Sequence, residues 1–261
     1  MNSITASQEE IIGDRNRIHI MGTQIDVLTV SQTVNLVEQY VQLKIPLHLI
    51  GVNADKLNAN KNNPSLEKIV NSCGIINADG ASVVLASKFL GKPLPERVAG
   101  IDLMYKLVEL SADKGYSIYL LGARKTVVER TAKNLKSRFS GLNIVGIRDG
   151  YFDESEWGEL AEQLRQKKPD FIFVGITSPL KEYLVEFLQN HGVSGVLMGV
   201  GGSFDVISGK IKRAPKWMQK ANLEWLFRVG AEPKRLFKRY FIGNFRFIRS
   251  ILHEKFLTPD N

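Results

Sequence analysis

Short apolar segments alternate with amphipathic segments along most of this chain, and this alternation restricts the fold more than any other feature. The apolar segments have the length of buried β-strands, and the segments between them carry apolar residues at helical spacing. Alternating strands and helices form mainly parallel sheets with right-handed crossovers. We therefore predict an α/β fold with a Rossmann-like, mainly parallel sheet flanked by helices. The segments that begin with a predicted strand and continue into the turn or loop after it are residues 47–55, 116–124, 142–152, 171–179 and 194–205, and a further predicted strand is residues 74–77.

The composition divides the chain into three regions. Residues 1–16 are polar and mixed in charge, which predicts a disordered N-terminus. Residues 17–208 form the predicted α/β domain, in which residues 18–29 alternate around Gly22 as a small β-hairpin. Residues 209–257 form a predicted helical appendage, which Pro215, Gly230 and Pro233 divide into short helices.

The positive charge is concentrated in that appendage. Residues 209–257 contain thirteen Lys and Arg against three Glu, so their net charge is +10. The whole chain has a net charge of +8, and the other residues together therefore carry −2. The partner of this region should therefore be anionic. Aromatic residues interleaved with basic ones are typical of helices on anionic membranes. They are also typical of stacking on nucleic-acid bases, or of a basic helix whose aromatic residues pack on the core.

The composition also predicts where the protein works. Cys73 is the only cysteine, which excludes an intrachain disulfide and fits a reducing compartment. Residues 1–16 lack the apolar centre of a signal peptide. No apolar run approaches the roughly 20 residues that a transmembrane helix needs. We therefore expect a cytoplasmic protein without a transmembrane helix.

Small and polar residues follow the predicted strands. Parallel strands bring their carboxyl ends to one rim of the sheet, where ligands bind in open α/β folds. Glycine turns admit backbone amides to a ligand, and helix N-termini favour phosphate. Each glycine alone is also explained as an ordinary turn residue, whereas the set as a whole favours a nucleotide or another phosphorylated ligand. The set comprises Asn53, Asp79, Gly122, Gly175, Ser178, Gly199, Gly201, Gly202 and Asp205.

Asp79 stands out because a strand at residues 74–77 runs directly into an Asp-Gly turn. This position leaves the carboxylate at the ligand-binding rim. Aspartate is also favoured as a turn residue or as the N-cap of a following helix, here predicted from Ala81 to Leu90. The local sequence leaves a catalytic role and a capping role open.

Several common nucleotide sites are missing from the sequence. It contains no G-x-x-x-x-G-K-[ST] loop, which disfavours a P-loop NTPase, and residues 199–202 lack the G-x-G-x-x-G spacing of nucleotide-dependent oxidoreductases. The four histidines are scattered, no Cys/His zinc set occurs, and no Asp-x-Asp pair is present to chelate a divalent ion. Arg, Lys and backbone amides would then neutralise a leaving diphosphate. An oxidoreductase and a basic nucleic-acid-binding module remain the rival functions.

Separate motifs in a consistent order point to a known family. From about Ile18 to Ile251 the chain resembles the TagA/WecG/CpsF family of bacterial glycosyltransferases. The motifs that carry the resemblance are the Asn53 loop and residues 77–80 (NADG), 96–102 (ERVAGID), 119–123 (YLLGA), 178–182 (SPLKE), 199–205 (GVGGSFD), 213–215 (RAP), 224–228 (EWLFR) and 232–235 (EPKR).

The resemblance implies an inverting, metal-independent transfer from a UDP-sugar to a polyprenyl-diphosphate-linked N-acetylglucosamine, without a cofactor. The donor it implies is UDP-N-acetylmannosamine or its uronic acid. It also implies a peripheral location on the inner face of the plasma membrane and assembly into homo-oligomers through the globular bodies, with no nucleic-acid partner. By motif, Asp79 would be the general base, Arg97 would stabilise the diphosphate and Asn53 would position a sugar.

The resemblance assigns two further groups of residues. The donor would be held by Gly80, Gly122, Ala123, Gly175, Ser178, Lys181, Glu182, Gly199, Gly201, Gly202 and Asp205. The appendage would cover the site and present Arg213, Arg228, Arg235, Lys238 and Arg239 to phosphate or membrane.

Three positions depart from the family pattern. Lys181 replaces a common Gln, Gly51 replaces a Thr near the Asn53 loop, and Lys238 replaces a common Arg and loses its bidentate geometry. The first two lie in the region that binds the donor. A glucosyl or glucuronosyl donor in exopolysaccharide synthesis therefore stays an alternative.

Overall fold

The computed structural model describes residues 15–231 and 233–257, without the side chains of residues 228, 231 and 233–240. The expected disorder of the N-terminus falls on residues 1–16, of which the first fourteen lie outside this description. Across the described residues, the architecture is the predicted one: an α/β domain with a parallel sheet, an N-terminal hairpin and a helical C-terminal region.

Six parallel strands form the central sheet in the order β4-β3-β8-β7-β5-β6. Strands β3, β4, β5, β7 and β8 are mostly buried, as expected for strands covered on both faces, whereas the edge strand β6 is partly exposed. Buried side chains on one face pack against those of the flanking helices in a cluster that includes Leu49, Leu120 and Phe173. The strands are β3 (Leu47–Val52), β4 (Ile75–Ala78), β5 (Ser117–Gly122), β6 (Asn143–Arg148), β7 (Phe171–Gly175) and β8 (Val196–Gly199).

The predicted hairpin consists of β1 (Arg17–Ile20) and β2 (Thr23–Asp26), which pair antiparallel. Met21 and Gly22 make the turn with φ angles of 51° and 78°, as the tight two-residue turn of a hairpin requires. The buried Asp26 carboxylate accepts hydrogen bonds from the Arg17 side chain at 2.9 Å and from the Ile76 backbone N–H at 2.7 Å. Asp26 therefore attaches the hairpin to β4.

Helices connect the strands and begin at recognisable signals. Thr29 and Gln32 form a capping box at the start of the first helix, and Asn63 caps a helix whose first residue is Pro64. The helices are α1 (Val30–Gln42), α2 (Ala54–Lys61), α3 (Pro64–Asn71), α4 (Ala81–Phe89), α5 (Gly100–Lys114), α6 (Lys125–Arg138), α7 (Trp157–Lys167), α8 (Leu180–Asn190), α9 (Ser203–Ile207), α10 (Lys216–Lys220), α11 (Glu224–Ala231) and α12 (Pro233–Leu257).

The predicted strands are confirmed, and the turn or loop included at the end of each segment follows its strand, as in residues 194–205, where β8 ends at Gly199 and α9 follows. One detail of the prediction is wrong. In the appendage, Gly230 does not divide two helices, because α11 continues through it to Ala231, and α12 is 25 residues long rather than short. A single glycine inside a helix costs only about 1 kcal/mol relative to alanine, which is too little to end it.

The C-terminal half of α12 packs on the α/β domain. Phe247 and Ile251 are buried in a cluster with residues of the hairpin, β3 and α2. The backbone N–H of Met21 donates to Glu254 at 2.7 Å, and the Asn58 side chain donates to the carbonyl oxygen of Gly243 at 2.8 Å. The predicted boundary at residues 208 and 209 stays a prediction, but the end of the appendage is firmly attached to the hairpin side of the domain.

Phe247 should be the main apolar anchor of α12. Phe247→Ala should lower the free energy of unfolding by about 3 kcal/mol, because it removes a buried aromatic ring and leaves a cavity. Denaturant unfolding followed by circular dichroism measures this. The control is Phe245→Ala, which truncates a ring that is 68% exposed on the same helix, and which should change stability by no more than about 0.5 kcal/mol. Equal effects of the two substitutions would show that α12 is not anchored in this way.

Candidate active site

The carboxyl ends of the strands meet at one rim, as the parallel pairing requires. Gly51 of β3 lies beside Asn77 of β4, and Gly122 of β5 lies beside Gly175 of β7. The strand order places β8 and β7 at the centre, and the chain leaves β4 to cross over three strands before it enters β5. Such a change in direction is where open α/β sheets leave a crevice for ligands.

Asp79 lies at this rim, immediately after β4, and is half-buried. Its backbone N–H donates to the carbonyl oxygen of Val52 at 2.9 Å. Its carboxylate accepts a hydrogen bond from the backbone N–H of Gly100 at 3.0 Å. Gly100 is the first residue of α5, so the carboxylate lies at the positive end of a helix, where an anion is stabilised.

The structure excludes the capping role that the sequence left open for Asp79. Gly80 is the N-cap of α4, and no side chain caps that helix. Asp79 therefore does not cap the helix that follows it, and it satisfies an N–H of a helix 21 residues further along the chain. Its position at the rim is a tertiary feature, which is consistent with either a purely structural or a catalytic carboxylate.

The missing side chain at Gly51 creates the space that Asp79 fills. A Cβ atom at residue 51 would lie 2.9 Å from the Cβ of Asp79, closer than real Cβ contacts allow. The departure from the family pattern at this position thus directly shapes the surroundings of Asp79. Any side chain here would require Asp79 or its strand to move.

Asn53 is exposed at the rim and caps α2. Its side-chain oxygen accepts a hydrogen bond from the backbone N–H of Lys56 at 3.0 Å. The Cα and Cβ atoms of Asn53 lie close against Gly80. The fold therefore brings Asn53, Asp79 and Gly80 together, although the capping role already accounts for Asn53.

The ends of β5 and β7 approach each other through their backbones. A Cβ at Gly122, whose φ angle is 130°, would lie 2.5 Å from the carbonyl group of Gly175. The Ala123 N–H donates to that same carbonyl oxygen at 3.0 Å. Packing between strands therefore explains these two glycines without a ligand, and their donor-binding role stays a prediction.

The loop after β8 is more open. Gly201 and Gly202 are exposed, and a Cβ atom at either would meet nothing within 4 Å. Asp205 follows in α9, where its carboxylate forms an ion pair with Lys210 at 2.7 Å. Here packing does not require the glycines, so the exposed backbone of this loop remains available to a ligand.

A buried ionic cluster lies behind the rim. Glu182 is fully buried and its carboxylate pairs with both Lys56 and Lys181, the latter at 3.0 Å. The Lys56 ammonium group also donates to the Ser178 hydroxyl at 2.8 Å, and the Lys181 side chain lies against Gly199. The cluster joins α2 to the loops after β7 and β8. It contains Ser178, Lys181 and Glu182, three of the residues predicted to bind the donor.

The pKa shifts in this cluster follow from two cations around one anion. Burial and the neighbouring Lys181 lower the pKa of Lys56 to about 8, despite the attraction of Glu182. Burial alone would oppose ionisation of Glu182, but the two ammonium groups outweigh it and lower its pKa to about 2. With a pKa of about 8, Lys56 is mainly protonated at pH 7, and the cluster places two lysine side chains around one carboxylate.

A second ionic network connects the loop before α5 to the appendage. Arg97 donates to Glu224 at 2.6 Å, and Arg213 donates to the other oxygen of the same carboxylate at 3.2 Å. Arg213 also makes two hydrogen bonds of 2.7 Å to the two carboxylate oxygens of Asp102. The backbone N–H of Val98 donates to Ala78 in β4 at 2.9 Å, which keeps Arg97 close to the strand that precedes Asp79.

A comparison with known protein families shows to which family the chain belongs. The profile described as "Glycosyl transferase WecG/TagA/CpsF family" matches residues 18–261. The chain belongs to this family. It is therefore a glycosyltransferase, and the resemblance that its motifs indicated is confirmed.

Individual WecG/TagA/CpsF relatives are similar over most of their length. A protein of Bacillus spizizenii is 36% identical over 173 residues, which are 66% of this chain and 66% of the relative. A protein of Bacillus subtilis is 32% identical over 200 residues, 77% of each chain. A protein of Staphylococcus aureus is 32% identical over 223 residues, 84% of this chain and 87% of the relative. All three are named N-acetylglucosaminyldiphosphoundecaprenol N-acetyl-beta-D-mannosaminyltransferase.

Within this glycosyltransferase of the WecG/TagA/CpsF family, the predicted site residues fall into three sets. Those on the strands and their loops lie along the rim, Lys181 and Glu182 lie in the buried ionic cluster behind it, and Arg97 and Arg213 lie in the network that reaches the appendage. The side chains of Arg228, Arg235, Lys238 and Arg239 lie outside the described residues, so their predicted roles stay predictions.

Sequence reasoning gave no role to four residues that the structure places in these clusters. Lys56 completes the buried ionic cluster, and Asp102 and Glu224 complete the network around the two arginines. Gly100 supplies the N–H that holds Asp79. Asp102 and Glu224 belong to family motifs, which was the available signal. Lys56 had none, since its partner lies 126 residues away.

The buried histidine of β3 should make stability depend on pH. Burial lowers the pKa of His48 to about 3 from its ordinary value near 6.5. The unfolded chain therefore binds more protons than the folded one between these values, and the free energy of unfolding should fall as the pH drops from 6.5 to 4.5. Below 4.5, protonation of Glu182 in the unfolded chain acts in the same direction.

Denaturant unfolding across pH 4.5 to 6.5 tests this expectation. His48→Gln should flatten the pH dependence, because the unfolded variant takes up no proton at this position. His191→Gln, which changes an exposed histidine at the end of α8, should keep the slope of the unaltered protein. An unchanged slope in His48→Gln would contradict the assignment.

Proposed function

We propose that this protein transfers N-acetylmannosamine from its UDP derivative to N-acetylglucosamine carried on a polyprenyl diphosphate. The names of the three relatives specify this acceptor and this sugar. The structural observation that supports this proposal is the position of the Asp79 carboxylate, which the N–H of Gly100 holds at the ligand-binding rim. N-acetylmannosaminuronic acid, glucose and glucuronic acid are the alternative sugars.

In the proposed reaction, the acceptor hydroxyl oxygen attacks the anomeric carbon of the donor from the side opposite UDP. The bond between the anomeric carbon and the phosphate oxygen breaks, UDP leaves with the bonding electrons, and the configuration inverts. Asp79 takes the proton of the attacking hydroxyl as general base. The N–H at the start of α5 fixes the orientation of the carboxylate by bonding to one of its oxygens.

Charge on the leaving UDP would be met by protein groups in this proposal. Arg97 precedes Val98, whose N–H bonds to Ala78 at the end of β4, and the exposed glycine loop follows β8 at the same rim of the sheet. The buried ionic cluster, with two lysine side chains around one carboxylate, lies behind that loop and favours an anion in front of it. These groups support a reaction in which neither a metal ion nor a cofactor takes part.

Asp79→Asn should separate catalysis from binding. The amide has the shape of the carboxylate but cannot accept a proton, so kcat should fall by about a hundredfold to ten-thousandfold. UDP affinity and the melting temperature should change little. Asp113→Asn, at the opposite end of α5, is the control and should retain full activity. Product analysis with a short-chain lipid-diphosphate acceptor and a panel of UDP-sugars measures the turnover and identifies the donor.

Normal turnover by Asp79→Asn would rule out Asp79 as the base. Transfer of glucose or glucuronic acid in preference to N-acetylmannosamine would overturn the donor assignment and leave the role of Asp79 intact.

We propose that α12 attaches the protein peripherally to the inner face of the plasma membrane. None of the helices in residues 15–231 and 233–257 is both long and apolar enough to cross a bilayer. One side of α12 nevertheless exposes apolar side chains at helical spacing, which we call the apolar stripe. It consists of Phe241, Phe245, Ile248, Leu252 and Phe256, exposed by 44% to 71%.

The apolar stripe continues onto the α/β domain. The ring of Phe256 contacts that of Phe89 on α4 at a centroid distance of 6.3 Å, and Leu85 on the same helix is 66% exposed. Arg246, Arg249 and Lys255 lie along the helix that carries the stripe. Apolar side chains flanked by basic ones are the composition of a helix that lies in the interface of an anionic membrane.

Phe245→Ser combined with Ile248→Ser should release the protein from lipid. Burying one such side chain fully contributes about 1.5–3 kcal/mol, so losing two should weaken the partition to vesicles containing phosphatidylglycerol at least tenfold. Vesicle flotation measures this. The control is Tyr151→Ser, which removes an equally exposed aromatic ring from a loop after β6. Unchanged flotation of the double variant would contradict the proposed attachment.

A further inference from the structure

The pair formed by Arg97 and Glu224 has a consequence for ligand binding. A carboxylate and a phosphate offer a guanidinium group the same kind of charged oxygen acceptor. Glu224 approaches Arg97 to 2.6 Å, so an acidic side chain already holds the arginine that the proposed function assigns to the diphosphate. The two side chains are 17% and 15% exposed, which leaves the pair within reach of a dissolved anion.

Glu224 can give up Arg97 without losing every cationic partner. Its other oxygen accepts from Arg213 at 3.2 Å. Arg213 is itself held in place by two hydrogen bonds to Asp102, independently of Glu224. The network can therefore pass from an arrangement in which Glu224 bridges two arginines to one in which it contacts Arg213 alone.

We propose that Glu224 is an internal competitor for Arg97 and thereby sets the affinity and selectivity of the site for its anionic ligand. A ligand that binds Arg97 must displace the carboxylate. A diphosphate compensates for this loss through its higher charge, whereas a singly charged ion gains less from the same exchange. This inference rests on the proposed function, in which Arg97 binds the diphosphate of UDP.

The chain supplies a matched pair of substitutions to test the competition. Glu224→Gln and Asp102→Asn each remove one negative charge from the same network. Of these two carboxylates, Glu224 bonds to Arg97, whereas Asp102 bonds to Arg213. Glu224→Asp keeps the charge and shortens the side chain by one methylene, which separates the contact from the general electrostatic effect.

Titration calorimetry with the full-length protein in detergent should show tighter UDP binding by Glu224→Gln. We expect the Kd to fall about threefold to fivefold, the range of a partly exposed ion pair. Glu224→Asp should also tighten binding, and Asp102→Asn should do so less than Glu224→Gln. Uridine, which lacks phosphate, should bind all four proteins equally. In an Arg97→Gln background, Glu224→Gln should have no effect on the Kd for UDP.

Three results would overturn the proposal. These are weaker UDP binding by Glu224→Gln, an equal gain from Asp102→Asn, or a gain that persists without Arg97. If Glu224→Gln fails to fold, as judged by its melting curve, Glu224→Asp gives the decision by the same criteria. Absence of UDP binding by the unaltered protein would instead contradict the proposed function, so the two failures are distinguishable.

Discussion

The parallel pairing of six strands is the constraint from which the position of the site follows. Because every strand of the sheet runs in the same direction, the loops that follow β3, β4, β7 and β8 must share one rim, however far apart they lie in the chain. Close backbone contact at the rim then restricts which residues fit there. Gly122 and Gly175 allow β5 and β7 to meet, and Gly51 leaves the space for Asp79. The same packing that holds the sheet together therefore determines where the carboxylate lies.

The charged side chains near the rim form one buried cluster and one network at the surface. Behind the loops, Glu182 pairs with two lysines in a fully buried position, where removing the carboxylate would leave two cations without a counter-charge. At the surface, Arg97 and Arg213 are matched by Glu224 and Asp102, so this network is neutral and partly hydrated. The buried cluster places two lysine side chains around one carboxylate, whereas the surface network can exchange partners. An anionic substrate would meet both, and only the second would need to rearrange.

The sequence predicted most of the fold because its information is local. Strand and helix segments are visible from their periodicity, and the capping residues Thr29 and Asn63 mark helix starts. The lateral order of the strands and the partners of charged side chains could not be predicted in this way. Both depend on contacts between residues that are distant in the sequence. Lys56 could not be connected to Glu182, nor Arg97 to Glu224, from spacing alone. The local sequence also allowed Asp79 to be a cap of α4. It instead bonds to the start of α5, a contact between distant residues that spacing does not reveal.

The last helix shows why amphipathicity alone did not define the appendage. With about 3.6 residues per turn, the buried Phe247 and Ile251 lie roughly a third of a turn around α12 from the apolar stripe. Packing on the hairpin side of the domain uses the first face and leaves the second exposed, with Phe245 and Phe256 near 70%. A helix that only covered the core would have a polar outer face. In the proposed attachment, a lipid surface buries this second face while α12 keeps its contacts with the domain.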